Sequence, residues 1–150
     1  MIRPSLIEPD VELRDLLKNK ITVGLAGGGT QKVTVYSDWE RPTNEVPTDF
    51  LVIFINGEVD GVGMDTEFAK GYLMVSLYCK MNDDGSVKKN RISKILHQFE
   101  TLVDKAVTDN YFFEYDSDRF ITPTTPNQTS GYSVTNLNLR WHTRNNFKSE

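Results

Sequence analysis

The sequence has little that would support disulfide chemistry, membrane insertion or nucleic-acid binding. Its 150 residues include a single cysteine, Cys79, which excludes an internal disulfide. No apolar run approaches the roughly 18 residues of a membrane-spanning helix, and the first residues lack the apolar core of a signal peptide. With 17 basic and 21 acidic residues, the net charge of −4 leaves no basic surplus for binding phosphates. These deficits favour a protein that folds in a reducing cytoplasm.

What the chain does have is the composition of a globular protein. Hydrophobic residues make up 38% of it, and they include eight Phe, six Tyr and two Trp. This content is typical of a folded protein rather than a disordered one, and the length matches the usual size of one domain. We therefore predict a single α+β domain over residues 1–150, with residues 143–150 forming a flexible tail.

The strongest local pattern is an amphipathic helix around residues 88–108. Apolar residues recur there at three- and four-residue spacing, which places them on one face. They are Ile92, Ile95, Leu96, Phe99, Leu102, Val103 and Ala106. A shorter helix is predicted from about residue 8 to residue 20, because Pro9 and acidic residues stand at its start.

Strands are predicted on both sides of the long helix. An apolar run at residues 50–56 predicts a central strand that Gly57 ends, and residues 57–71 then form a loop or an irregular hairpin. Period-two alternation or short apolar runs predict further strands. They lie at residues 32–36, 72–81, 111–115, 120–124 and 132–141, with a polar loop at 123–131. The predicted fold class is α+β: a mostly antiparallel twisted sheet packed against one long helix plus a short N-terminal helix.

The last predicted strand changes the phase of its apolar residues. Tyr132 and Val134 occupy even positions, whereas Leu137 and the apolar residues after it occupy odd positions. The buried side of a strand alternates every residue, so the phase must switch near Thr135 and Asn136. This pattern predicts either a β-bulge at that point or a strand whose two ends contact different neighbours, as in a strand that bridges subunits.

No group of residues has the pattern of a catalytic, cofactor-binding or metal site. The glycine-rich residues 24–29 have the spacing of a phosphate-binding loop but lack its Lys, and no helix is predicted after them. His97, Glu100 and Asp104 share a helix face that is better explained as solvated. Cys79 lies in a predicted strand and is interpreted as a small buried hydrophobe. We predict no catalytic residue, no cofactor and no metal.

Other residues are candidates for contacts with partners. Lys88, Lys89 and Arg91 cluster at the start of the long helix. They form either a solvated basic patch or a surface that pairs with acidic residues of a neighbour, and Trp39 and Trp141 belong either to the core or to an interface. The full candidate interface set is Gly27, Gly28, Gly29, Trp39, Glu58, Asp60, Asp65, Glu67, Lys88, Lys89, Arg91, Asn136, Trp141 and Phe147.

The order of these elements over residues 8–142 resembles a known family. The order is a short helix, a strand, a loop with Trp39 and two prolines, the strand 50–56, residues 71–80, the helix 91–107, Tyr111-Phe112-Phe113-Glu114 and a last strand at 130–141. It is similar to that of the tail terminator (tail completion) proteins of long-tailed bacteriophages, and more loosely to that of head–tail connector and minor tail proteins. The resemblance rests on element order, with no short diagnostic motif.

The resemblance implies a structural role in the virion. Members of that family form a ring, usually of six subunits, that caps the tail tube, stops its elongation and provides a docking surface to the head and neck. The implied partners are further copies of the chain, the tail tube protein and a neck or head-completion protein. DNA would pass through the lumen without specific binding, and no membrane is involved. The implied location is the tail or neck of the virion, after assembly in the host cytoplasm.

Two alternatives stay open at this point. In the first alternative, the chain is another phage neck or tail component, such as a head-closure or connector protein or a tube-like subunit. Otherwise it is a small α+β ligand-binding domain or enzyme whose site is built from scattered residues. The missing nucleophile–base pair, metal cluster and phosphate loop argue against the last reading.

Overall fold

The computed structural model describes residues 9–25, 27–37, 49–60, 70–115, 125–127 and 131–143. Within these ranges the chain forms two α-helices and eight β-strands. The helices are α1 (Pro9–Leu17) and α2 (Lys89–Val103). The strands are β1 (Thr22–Gly24), β2 (Thr30–Lys32), β3 (Thr34–Ser37), β4 (Asp49–Asp60), β5 (Lys70–Lys80), β6 (Tyr111–Tyr115), β7 (Thr125–Asn127) and β8 (Tyr132–Thr143).

The main sheet has the strand order β3-β4-β5-β8-β6, and β7 also pairs with β8. Strand β3 runs parallel to β4, whereas the other pairings in this sheet are antiparallel. The fold is α+β as predicted, but the sheet is mixed rather than antiparallel throughout. Strands β1 and β2 form a separate two-stranded antiparallel hairpin.

Both helices pack against one face of the main sheet, which we call the inner face. The odd-numbered residues of β5 and β8, and those of β4 from Asp49 to Ile55, point to this face, because over these lengths the strands pair odd with odd in one register. One buried cluster joins these residues to Leu13 and Leu17 of α1 and to Ile95 and Phe99 of α2. The opposite side, called the outer face, carries the even-numbered residues. No helix among the described residues covers it.

A carboxylate fixes α1 to the segment that precedes β6. Glu12 accepts a hydrogen bond from the Thr108 hydroxyl at 2.6 Å. It also accepts from the Asn110 side-chain amide at 2.7 Å and from the Asn110 backbone N–H at 3.2 Å. These donors lie 96 and 98 residues from Glu12 in the sequence. The contact therefore joins the N-terminal helix to a distant part of the chain.

Helix α2 ends at Val103, so the predicted extension to residue 108 is wrong. The reason is a left-handed turn, because Lys105 has a φ of 61°. The Asp104 N–H still donates to the Glu100 carbonyl at 3.1 Å, and the Ala106 N–H closes the turn on Val103. Ala106 then accepts a hydrogen bond from the Phe113 N–H at 2.8 Å. The sequence periodicity placed Ala106 on the apolar face of the helix. In the structure, Ala106 instead lies in the turn between α2 and β6.

The predicted bulge in the last strand is also wrong. Strand β8 pairs with β5 in one continuous register from Tyr132 to His142, and its odd-numbered residues are buried along the whole strand. The apparent phase switch arises because Ser133 and Thr135 are buried polar residues. Ser133 satisfies its hydroxyl by donating to the Cys79 carbonyl at 3.1 Å. The residues Tyr132 and Val134 lie on the outer face.

Several predicted boundaries differ from the structure. Gly57 does not end β4, which continues past an irregularity to Asp60. The predicted strand at 32–36 is divided at Val33 into β2 and β3, and the predicted polar loop at 123–131 contains β7. Thr143 is the last residue of β8 rather than the start of a tail. The predicted strand at 120–124 and the rest of the tail lie outside the described residues.

Candidate functional site

The basic cluster at the start of α2 includes a buried ion pair. The Arg91 guanidinium lies 2.6 Å (Nη2) from Oδ2 of Asp49, and its Nε donates to the same oxygen at 2.7 Å. The Asp49 side chain is only 2% exposed, whereas that of Arg91 is 21% exposed. The Asp49 carboxylate raises the pKa of Arg91 further, which keeps the guanidinium charged. Arg91 thus has a partner inside the chain. The prediction that Lys88, Lys89 and Arg91 contact a neighbouring subunit stays a prediction.

Cys79 lies beside this ion pair, because it stands directly opposite Asp49 in the β4–β5 register. The thiol is fully buried. Burial, followed by the neighbouring Asp49 carboxylate, raises the pKa of Cys79 to about 12, against the smaller opposing effects of Arg91 and Lys88. A nucleophilic cysteine requires a thiolate and access to solvent. The structure therefore confirms the interpretation of Cys79 as a small buried hydrophobe.

This burial predicts the behaviour of the thiol toward a disulfide reagent. In the folded protein at pH 8, Cys79 is expected not to react with 5,5′-dithiobis(2-nitrobenzoate) over minutes, because the thiolate is scarce and the sulfur is inaccessible. In 6 M guanidinium chloride, one thiol per chain should react at once. The release of thionitrobenzoate measured at 412 nm reports both results. Stoichiometric release from the folded protein within seconds would contradict the buried placement.

Gly27, Gly28 and Gly29 lie in the turn of the β1–β2 hairpin, which the sequence did not predict. Gly28 and Gly29 have φ values of 93° and 79°, a conformation that glycine adopts without strain. The Leu25 N–H donates to the Gly29 carbonyl at 3.1 Å and closes the turn. A strand follows this turn instead of a helix, which agrees with rejecting a phosphate-binding loop.

The base of this hairpin is fixed to α2, whereas its far side is exposed. The Gln98 side-chain amide donates to the Thr22 carbonyl at 2.8 Å and accepts from the Thr22 N–H at 3.0 Å. Arg91 also reaches the Gly24 carbonyl, at 3.5 Å. All three residues of β2 are exposed, and Leu25 at the turn has 45% of its surface exposed. The hairpin thus presents an open strand and an apolar side chain to solvent.

The outer face of the sheet has an aromatic end. Phe50 stacks on Tyr78 with ring centroids 4.8 Å apart, and Tyr36 and Tyr132 approach Phe50 edge-on at 6.0 and 5.7 Å. Such pairs contribute to stability beyond the area that they bury. Phe50 itself is buried, with 7% of its surface exposed. These rings form a packed cluster that stabilises the outer face.

The other end of the outer face carries a group of charged side chains. Lys70 stands opposite His142 and Tyr72 stands opposite Arg140 in the β5–β8 register, so all four side chains lie on the outer face. They surround a concavity of about 210 Å³ whose floor includes Gly71. Glu114 stands opposite Arg140 on β6, and its Oε1 lies 4.0 Å from Nε2 of His142. We call Lys70, Tyr72, Arg140 and His142 the basic corner.

The remaining predicted site residues are placed as follows. Trp141 is fully buried on the inner face, where it packs against Gly71 in the core. Asn136 lies on the outer face, and its Oδ1 accepts a hydrogen bond from the Ser76 hydroxyl at 2.6 Å. Glu58 and Asp60 belong to the end of β4, where only the backbone is described. The residues outside the described part are Trp39, Asp65, Glu67 and Phe147.

A metal site is not found among the residues that the structure describes. No three His, Cys, Asp or Glu side chains in this part of the chain are close enough to hold an ion. His97 is exposed and lines a groove of about 480 Å³ on α2 together with Glu100. The groove wall combines apolar and polar side chains, namely Val87, Lys89, Ile92, Ser93 and Leu96. Ser93 and His97 both line this groove, and no hydrogen bond between their side chains is found in the described part of the chain.

Comparisons with known proteins do not assign the chain to a family. No family model matches it, and no curated protein matches it significantly. Neither described helix is long and apolar enough to cross a membrane.

Proposed function

We propose that this protein is a structural virion protein of the tail terminator type. In this role it forms a ring, of six subunits, that caps the tail tube, stops its elongation and provides the docking surface to the head and neck. It acts as an assembly protein rather than an enzyme, and DNA passes through the ring without specific binding. Its partners are further copies of itself, the tail tube protein and a neck or head-completion protein, within the tail or neck of the virion.

The observation that carries this proposal is the exposed β1–β2 hairpin. An isolated two-stranded hairpin is marginally stable in water, and this one is separate from the main sheet. Its base is held by Gln98, yet among the described strands β2 pairs on one side only, and Leu25 is exposed at the turn. An open strand with an apolar tip favours pairing with another chain. A ring of identical subunits supplies such a partner at every hairpin.

A second support is that no catalytic or metal-binding arrangement is found in the described part of the chain. Its one cysteine is buried and protonated, and its buried ion pair joins β4 to α2. Two of its grooves lie on an exposed helix face and at a sheet corner. These features fit a scaffold whose function depends on contacts between chains.

The proposal predicts that Leu25→Asp disrupts assembly. The wild-type protein is expected to form a ring with about six times the 17.1 kDa mass of the chain, either alone or on tube ends, by light scattering or native mass spectrometry. A carboxylate at the hairpin tip should weaken association by about tenfold or more, because an apolar contact becomes a buried charge. The matched control is Val107→Asp at another exposed apolar residue, which is 50% exposed. This control should retain the ring.

The outcomes of this experiment separate the alternatives. A wild-type protein that stays monomeric even with tube ends contradicts the proposal and favours a ligand-binding domain or enzyme. Equal loss of the ring in both variants contradicts the role of the hairpin. In the phage, deletion of the gene should give overlong tubes by electron microscopy. Tails of normal length would contradict the terminator assignment and favour a head-closure, connector or tube-like subunit.

A further inference from the structure

We propose that the β1–β2 hairpin of one copy docks into the groove on α2 of the next copy, so that identical head-to-tail contacts close the ring. The hairpin carries Leu25 at its turn, and the groove of about 480 Å³ has Ile92, Leu96 and Glu100 in its wall. This inference rests on the proposed ring, and it adds the surface that receives the hairpin. The partner is thus a second copy of this chain.

The hairpin and the groove lie on opposite flanks of α2. Arg91 and Gln98 donate hydrogen bonds to backbone carbonyls of the hairpin, whereas Ser93 and Glu100 line the groove. Ser93 follows Arg91 by two positions and Glu100 follows Gln98 by two positions, which is about 200° around a helix of 3.6 residues per turn. One chain therefore has a projecting element on one flank and a concave surface on the other. Contacts between two such different surfaces are heterologous, and they generate a ring where the rotation closes.

The apolar parts of the two surfaces match. Leu25 has 45% of its surface exposed at the hairpin turn. In the groove, Val87 and Leu96 are partly buried and Ile92 is buried, so apolar atoms lie at its base. Transfer of an exposed leucine side chain from water to such surroundings is favourable. The groove thus offers Leu25 the burial that it lacks in a single chain.

The charges of the two surfaces are complementary. Residues 16–37, which include the hairpin, contain three lysines and no acidic residue. Residues 97–104 at the end of α2 contain Glu100 and Asp104 and no Lys or Arg. None of the ion pairs in the described part of the chain includes Lys32 or Glu100. Opposite charges across an interface favour the correct partner and fix its register.

The spacing of these groups sets the orientation of the hairpin in the groove. Lys32 stands opposite the first residue of β1, three positions before Leu25, so their Cα atoms are about 10 Å apart along the hairpin. On α2, Ile92 and Glu100 are eight residues apart, which is about 12 Å along the helix axis. Leu25 therefore reaches the apolar part of the groove when Lys32 lies beside Glu100. The reverse orientation would place Lys32 beside Lys89, at the other end of the groove.

Mixing two defective variants tests the head-to-tail contact. Leu25→Asp damages the hairpin and Leu96→Asp damages the groove, so each variant alone should associate about tenfold or more weakly than the wild type, because a charge enters an apolar contact. An equimolar mixture should form dimers of about twice the 17.1 kDa mass of the chain. In these dimers the intact hairpin of one variant occupies the intact groove of the other. Native mass spectrometry or analytical ultracentrifugation measures the dimer.

Charge reversal tests the same contact at exposed residues, so it applies even if Leu96→Asp fails to fold. Lys32→Glu and Glu100→Lys should each weaken association by about three- to tenfold, because each places like charges across the contact. Both changes in one chain should restore association to within about twofold of the wild type. The matched control combines Lys32→Glu with Asp109→Lys, at another exposed acidic residue. It has the same net charge and should not restore association.

The outcomes separate this contact from the ring itself. A wild-type ring, with no dimers in the mixture and no restoration in the charge-reversal pair, overturns the docking and leaves the proposed function standing. Wild-type association by Leu25→Asp alone, or restoration by the Asp109→Lys control, also overturns the docking. A wild-type chain that stays monomeric, both alone and with tube ends, overturns the docking and the proposed function together. Where the ring forms only on tube ends, the charge-reversal pair is compared there by the mass of the bound ring.

Discussion

Replacing Arg91 by methionine is expected to lower the free energy of unfolding by about 3–5 kcal/mol. The substitution removes the partner of Asp49, whose side chain is only 2% exposed. A buried carboxylate without its cation is costly, because the desolvation penalty is no longer offset by the hydrogen bonds of the guanidinium. Urea unfolding followed by far-UV circular dichroism measures this loss. The urea dependence of the unfolding free energy should be unchanged, since the surface exposed on unfolding is nearly the same.

A second ion pair in the chain provides the matched control. Arg14 and Asp15 are 2.9 Å apart, but the Asp15 side chain is 60% exposed. Asp15→Asn should therefore change the free energy of unfolding by less than about 0.5 kcal/mol. The double variant Asp49→Leu with Arg91→Met should lose less than Arg91→Met alone, because it leaves no buried charge. A loss below about 1 kcal/mol in Arg91→Met would show that the pair does not stabilise the fold.

Most of the regular elements can be predicted from local pattern. The stripe that contains Ile92, Ile95 and Phe99 identifies α2, because period 3.6 places these residues on one face. The apolar run at residues 50–56 and the alternation at 72–81 identify β4 and β5, because a strand between two others buries its inner face. The short helix near residue 9 is identified by its proline and acids. These signals depend on residues close in sequence.

The errors arise where distant residues determine the local structure. Ser133 and Thr135 look like a break in alternation, but Ser133 is buried because it reaches a carbonyl on β5. Lys105 ends α2 in a left-handed conformation that its residue type does not indicate. The parallel direction of β3 depends on its pairing with β4, which the alternation of a strand does not encode. In each case tertiary contacts override the local preference.

The candidate sites are less predictable than the fold, because they depend on register. Asp49 and Arg91 are 42 residues apart, and the sequence alone leaves Arg91 in a surface patch. The basic corner forms only when Lys70 is opposite His142 and Tyr72 is opposite Arg140. The sequence itself shows only that Lys70 and Tyr72 are two residues apart, and that Arg140 and His142 are two residues apart. This spacing becomes informative only after the pairing of β5 with β8 is known.

Replacing Gly71 by alanine is expected to lower the free energy of unfolding by about 1–3 kcal/mol. A Cβ at this position would lie 2.9 Å from Cζ2 of Trp141 and 3.0 Å from Cε2 and Nε1. These distances are shorter than normal contacts, and the indole is fully buried between β8 and the helix layer. A close-packed core accommodates an extra methyl group only by shifting side chains or backbone. Thermal or urea unfolding measures the loss.

A glycine in the small hairpin is the matched control for this effect. A Cβ added at Gly24 meets nothing within 4 Å, so Gly24→Ala should change the free energy of unfolding by less than about 0.5 kcal/mol. Equal losses in the two variants would show that the glycine backbone, rather than the indole, determines the cost at Gly71.

The contact with the indole can be isolated by a double-mutant cycle. The Nε1 of Trp141 has no hydrogen-bond partner in the described part of the chain, so Trp141→Phe removes volume without breaking a hydrogen bond. This variant loses stability by itself because it leaves a cavity. Adding Gly71→Ala to it should cost less than adding Gly71→Ala to the wild type, with a coupling of about 0.5–3 kcal/mol. Additive losses would contradict a steric contact between these two residues, and with it the close approach of β5 to Trp141.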